Sequence, residues 1–208
     1  MRSHTPYRLT NDDLFQTIEN WDSLMNFRVR LIACGGTALT LLNIKESTKD
    51  IDFIVPVHTE CGRLMKFLTD IGYREMGGGL AHPDDPHFLY QFWPGNRVYT
   101  TDLLNPPLEE GNHIMIRRYR RIYLGALNLV DLIITKMFRG TSTDLDDCVA
   151  VFSTGRVDEE ELFERYSEGA LYDINPDKVM RHFIVFVDEL ASRRLVTDDF
   201  SKKVRSCR

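Results

Sequence analysis

The sequence predicts an α/β protein in two parts: a mixed β-sheet with flanking helices over residues 1–125, then a C-terminal helical bundle over residues 126–208. Three observations carry this expectation. Up to Gly125, short apolar runs bounded by Gly, Pro and Asn alternate with helical patterns. After Gly125 the apolar period is helical only. A chain of 208 residues, 43% of them hydrophobic, has the length and the apolar content for one ordinary domain with a smaller unit attached.

Each element has its own local warrant. Leu14, Phe15, Ile18, Trp21, Leu24 and Met25 recur at helical spacing behind Thr10 or Asn11 as N-cap. Val29–Ala33 reads as a short strand running into Gly35-Gly36, and a small-residue helix follows to Leu42. Asp50–Val55 reads as a buried strand stopped by Pro56. Leu64, Phe67, Leu68 and Ile71 share one helical face. Strands are expected at Phe88–Trp93 and Val98–Leu104, joined by Pro94-Gly95-Asn96, with a last one at His113–Leu124. The helices of the second part are expected at Leu129–Phe138, Asp144–Phe152, Glu159–Leu171 and Pro176–Arg194.

Composition excludes several classes. Aromatic content of 11% rules out a disordered chain. No uncharged apolar run approaches the ~18 residues of a membrane span, and no signal peptide is visible. Net charge of −5 argues against a general nucleic-acid coat, though not against a local basic groove. The four cysteines are scattered with no C-x-x-C pair, which fits a reduced, cytoplasmic protein.

The chemistry is concentrated at Gly35-Gly36-Thr37-Ala38-Leu39 and, a dozen residues on, Thr48-Lys49-Asp50-Ile51-Asp52-Phe53. Residues two apart on a strand share a face, so Asp50 and Asp52 are expected side by side. Paired carboxylates in an apolar strand repel unless a hard cation such as Mg²⁺ (or Mn²⁺) joins them. The alternative is a strand end emerging into solvent. Gly35 and Gly36 at a strand–helix junction let a phosphate approach the backbone, with the Thr37 hydroxyl beside it, or simply serve a tight turn. Asp102, the only acid in Val98–Leu104, is either a third carboxylate for metal and proton transfer or an exposed strand-end residue.

These residues resemble the signature of the polymerase-β-type nucleotidyltransferase superfamily: hG[GS], then [DE]h[DE]h, then a third strand carboxylate. The chain is most similar to the AbiEii-like branch, the toxin-type nucleotidyltransferases of prokaryotic toxin–antitoxin systems. The resemblance spans roughly Ile32 to Val151 and implies a nucleotidyltransferase-like sheet. It implies NMP transfer from a Mg-bound NTP to a hydroxyl on an RNA or tRNA end, a protein or a small molecule. Asp50, Asp52 and Asp102 would hold metal, and Gly35, Gly36, Thr37 and Lys49 would hold the nucleotide. A cognate antitoxin or other partner protein is the implied companion. The branch also carries a helix with a lysine followed by an acidic helix, and Lys136 with Asp144 and Asp147 is similar to that pair. The other class of function open to such a chain is a catalytically inactive binding module of the same fold.

On the helical wheel Lys136 falls at the margin of the apolar stripe, where a lysine snorkels or pairs. It either reaches a nucleotide phosphate, oriented by Asp144 or Asp147, or makes an interhelical salt bridge. Arg117, Arg118, Arg120 and Arg121, interleaved with Tyr119 and Tyr123, make either an electrostatic groove or a charge-protected edge strand. Gly77–His87, with three glycines and two prolines, reads as a mobile surface loop.

Overall fold

The computed structural model describes residues 7–206. It has mixed α/β architecture, and the chain divides into one compact unit running to Leu127 and a second beginning at Asn128. In order, the first unit contains β1 (Leu9–Thr10), α1 (Asn11–Leu24), β2 (Val29–Ala33), α2 (Gly35–Leu41), β3 (Ser47–Thr48) and β4 (Ile51–Val55). Then come α3 (His58–Asp70), β5 (Arg74–Met76), β6 (Gly79–His82) and β7 (Asp85–Pro94). The unit closes with β8 (Arg97–Val98), β9 (Thr101–Asp102), β10 (His113–Arg118) and β11 (Ile122–Leu127). Thr10 is the N-cap of α1: its hydroxyl accepts from the Asp13 N–H, and the Asp13 carboxylate accepts from the Thr10 N–H at 2.8 Å. The face so started buries Leu14, Ile18 and Trp21.

Seven strands form one mixed sheet in the order β10-β11-β2-β4-β7-β6-β5. The pairs β11–β2 and β4–β7 are parallel, and β2–β4 is antiparallel with Ala33 opposite Phe53. All five residues of central β4 are buried, which explains its nearly continuous apolar run. Because β2 and β4 run in opposite directions, the end of β2 lies beside the start of β4. Helix α2 packs on β4, and α3 packs on β2, β4 and β7. Trp21 meets Tyr73, Tyr90 and Phe92 at ring-centroid separations of 5.5–6.1 Å, tying α1 to β7.

Three stretches differ from expectation. Gly77–His87 is not an irregular loop: Gly77 and Gly78, both at positive φ, make the two-residue turn of the β5–β6 hairpin, whose strands continue the sheet. The run Val98–Leu104 is broken by a turn at Tyr99, so only β8 and β9 remain, paired with each other outside the large sheet. His113–Leu124 is two antiparallel strands, because the backbone reverses at Tyr119–Arg121, with the Tyr119 N–H donating to Ile122 O. A run of arginines hides that reversal, since it contains none of the usual turn residues.

The second unit is helical: α4 (Leu129–Arg139), α5 (Ser142–Phe152), α6 (Glu159–Ala170), α7 (Pro176–Ser192) and α8 (Asp198–Arg205). Asn128, Thr141, Asp158, Asn175 and Thr197 each cap the helix they precede with a side-chain oxygen. Helix α4 packs against α5, α6 and α7, and α7 packs against α8. At the centre the Tyr166 and Phe183 rings stack at 4.2 Å. Helix α8, absent from the sequence expectation, buries only Phe200, Ser201 and Val204, too few apolar positions to stand out as a period. Among the described residues no helix is long and apolar enough to cross a membrane.

Candidate functional site

Strand β2 ends at Ala33, and Cys34 stays extended, its N–H donating to Asp52 O at 3.1 Å. Gly35 then turns the chain into the seven-residue α2 with φ of +55°. A Cβ at Gly35 would stand 2.7 Å from Asp52 Oδ2, and one at Gly36 would stand 2.6 Å from Thr48 Oγ1. Close approach to these two side chains, and not only the turn, therefore calls for glycine at both positions. The two sequence motifs thus meet in space: the backbone after β2 lies directly against the carboxylate of β4.

Thr37 is buried and works inside this junction. Its hydroxyl donates to Asp50 O at 3.0 Å and accepts from the Asp52 N–H at 2.9 Å. Thr48 donates to the same Asp50 carbonyl at 2.9 Å. Thr37 pins residues 50–52 to α2 while Thr48 braces the same segment from within, and the single Thr37 hydroxyl proton is committed to that task. Asp52 is only 3% exposed, and the Tyr99 hydroxyl donates to its Oδ2 at 3.1 Å. Tyr99 occupies the β8–β9 turn with φ of +54° and packs on Trp93 with ring centroids 4.8 Å apart. Asp50, one residue ahead of β4, is exposed, as is Lys49, and neither makes an ion pair among the described residues. The two carboxylates therefore differ sharply in burial, because only Asp52 has entered the strand.

Asp102 lies on β9 with its side chain 75% exposed and 4.0 Å from Arg97 Nε. Among the described residues no three His, Cys, Asp or Glu side chains gather as a metal-binding group. Tyr99, Thr48 and Gln91, which stands beside Asp52 across the β4–β7 register, belong to the site without having been singled out as functional in the sequence. For Tyr99 no local signal exists, since its contact crosses 47 residues.

Lys136 and its acidic neighbours form a cluster within the second unit. The Lys136 side chain is 4% exposed; Nζ donates to Asp147 Oδ2 at 2.8 Å and lies 3.5 Å from Asp144 Oδ1. Asp144 also accepts from Arg139 Nε at 2.8 Å, from the Thr141 hydroxyl at 2.7 Å and from the Thr141 N–H at 3.2 Å, the last of which closes the capping box of α5. Burial pushes the Asp144 carboxyl up, but its bonds to Arg139 and Thr141 and the charge of Lys136 outweigh that and hold it down at about 2. The Asp144 pKa in the fold is below its ordinary value of 3.8, so its stabilisation is complete above about pH 4 and fades as pH falls towards 2. Melting curves should accordingly show wild type well above Asp144→Asn at pH 7, with the gap closing by about pH 2. An equal gap at both pH values would mean that the ionised carboxylate is not what stabilises α5.

Comparison of the chain with protein-family models, with curated proteins and with solved structures finds no match.

Proposed function

We propose that the β2–α2 turn and the start of β4 form a nucleotidyltransferase site, which takes an NTP with Mg²⁺ and passes its NMP to a hydroxyl acceptor. The observation that carries this reading is the contact between the two halves of the site. Gly35 leaves no room for a methyl group in front of Asp52 Oδ2, so a backbone that phosphate can approach lies against a buried carboxylate. The donor set suits a hard cation: Mg²⁺ uses one or two protein carboxylates, here Asp50 and Asp52, and completes its shell with substrate phosphates and water. When bound, the ion would neutralise negative charge on the phosphates.

The chain's own residues do the rest. The Gly35–Gly36 backbone receives phosphate, Thr37 and Thr48 fix the segment that carries the carboxylates, and Tyr99 orients Asp52. The acceptor oxygen attacks the α-phosphorus, an O–P bond forms, the bond to the bridging oxygen breaks and pyrophosphate leaves. Asp102, open to solvent on β9, is the carboxylate left to take the acceptor's proton. Lys136 and Asp147 have no step in this scheme, because they neutralise each other within the second unit. A toxin–antitoxin role rests on the family resemblance alone.

A second reading, an inactive module that binds nucleotide without transferring it, is favoured by one observation: among the described residues no third carboxylate joins a metal-binding group. Incubation with each α-labelled NTP, Mg²⁺ and either total RNA or cell extract separates the two. Label transferred with Mg²⁺ and lost with chelator is the expected result. Nucleotide binding with no transfer in any arm would establish the inactive module instead.

A further inference from the structure

The reversal between β10 and β11 builds a second site that the nucleotidyltransferase reading does not use. A groove of about 530 Å³ is lined by Arg28, Arg30, Arg118, Arg120 and Arg121, with Glu60 as its one acidic wall residue. The pairing of β11 with β2 creates it, setting Tyr123 beside Arg30 and Ile122 beside Val29. Arginines that are distant in sequence thereby share one surface. The groove lies at the start of β2, whereas Gly35 follows its end. Five residues at ~3.3 Å each put roughly 16 Å between Arg30 and the Asp52 site.

The charge in this groove is in excess of what the fold consumes. Glu60 accepts from the Arg30 N–H at 2.9 Å and pairs with its guanidinium. Asp22 is occupied by the Arg121 and Ile122 backbone N–H groups, and Glu19 by Arg117 at 2.8 Å. Arg28, Arg118 and Arg120 are exposed and make no ion pair among the described residues. Arg121 Nε is buried with no acceptor among the described residues. In a chain of net charge −5, such a concentration needs a ligand to explain it better than solubility does.

Aromatic rings decide the class of ligand. Tyr119 and Tyr123 line the same groove, with Arg117 and Arg118 each 5.6 Å from one of those ring centroids. Guanidinium forks match phosphate oxygens, and phenol faces accept unpaired bases. An acidic peptide would satisfy the charges but need bring nothing to stack on the rings. We propose that this groove binds the phosphate backbone and bases of a single-stranded nucleic acid. The proposal stands independently of nucleotidyl transfer, because its test reads binding alone.

The test is fluorescence anisotropy of the full chain with a labelled 12-nucleotide single-stranded RNA, beside a poly-glutamate peptide of equal charge. If three phosphates are neutralised, affinity should fall about 20-fold between 50 and 200 mM KCl, from a slope of roughly −0.7 per phosphate on single strands. Replacing Arg28, Arg118 and Arg120 together by Gln should weaken RNA binding roughly 10-fold or more while Tm falls by no more than about 4 °C, since all three are exposed and only Arg118 gives up a ring contact. Asp52→Asn should bind RNA as wild type does. Wild-type affinity in the triple variant would overturn the proposal. So would poly-glutamate binding as tightly as RNA, which would point to an acidic protein partner.

Discussion

Asp52→Asn is expected to abolish Mg²⁺-dependent NTP binding and to lower nucleotidyl transfer by at least ~10²-fold, while the protein keeps its fold. The substitution is close to isosteric, and an amide oxygen can still accept the Tyr99 hydroxyl, so that hydrogen bond survives. What disappears is the negative charge of a side chain that is almost wholly buried beside the Gly35 backbone. A neutral amide offers a hard cation far less, and the phosphates then meet no counter-ion at that position. Asp50→Asn should show the same direction with even less structural disturbance, because Asp50 is exposed and makes no ion pair among the described residues. Calorimetry of NTP binding with and without Mg²⁺ measures the first effect, and a melting curve establishes that the variants fold. Unchanged affinity in both variants would remove the metal, and with it the proposed chemistry, from this end of the sheet.

The elements that surround this site were largely legible because their signals are local. Thr10 through Met25 carries both a capping residue and a helical period, and β4 is an apolar run closed by a proline. The meeting of Gly35 with Asp52 was legible only as two motifs in sequence; that one glycine excludes a side chain because the other motif's carboxylate fills the space requires the β2–β4 pairing. Thr37 shows the limit of reading residue types. A hydroxyl beside two glycines suggests a ligand contact, yet its proton goes to a backbone carbonyl thirteen residues on. Tyr99 and the arginine groove were illegible for a common reason. Both arise where distant segments pair, and both turns are built without the glycine or proline that would announce them.

Lys136→Met should destabilise the protein by about 3–5 kcal/mol, the typical cost of breaking a buried ion pair from one side. At a few degrees per kcal/mol for a chain of this size, that is a fall in Tm of roughly 6–20 °C. The reason is asymmetric. Asp144 keeps Arg139 and Thr141 when the ammonium is removed, but Asp147, itself buried, loses its 2.8 Å partner. The cost of keeping a buried carboxylate ionised after its 2.8 Å cation is removed, more than the missing attraction, sets the loss. Lys136→Met combined with Asp147→Val should therefore recover most of the stability, since two apolar side chains replace a pair whose desolvation was itself expensive. A single-variant loss below about 1 kcal/mol would mean that the pair is solvated like a surface bridge. Activity supplies the second readout. With its ammonium engaged by Asp147, Lys136 is expected to leave single-turnover transfer standing in the stabilised double variant. A fall of ~10²-fold in kcat there would instead assign Lys136 to the charge on the transferring phosphoryl group.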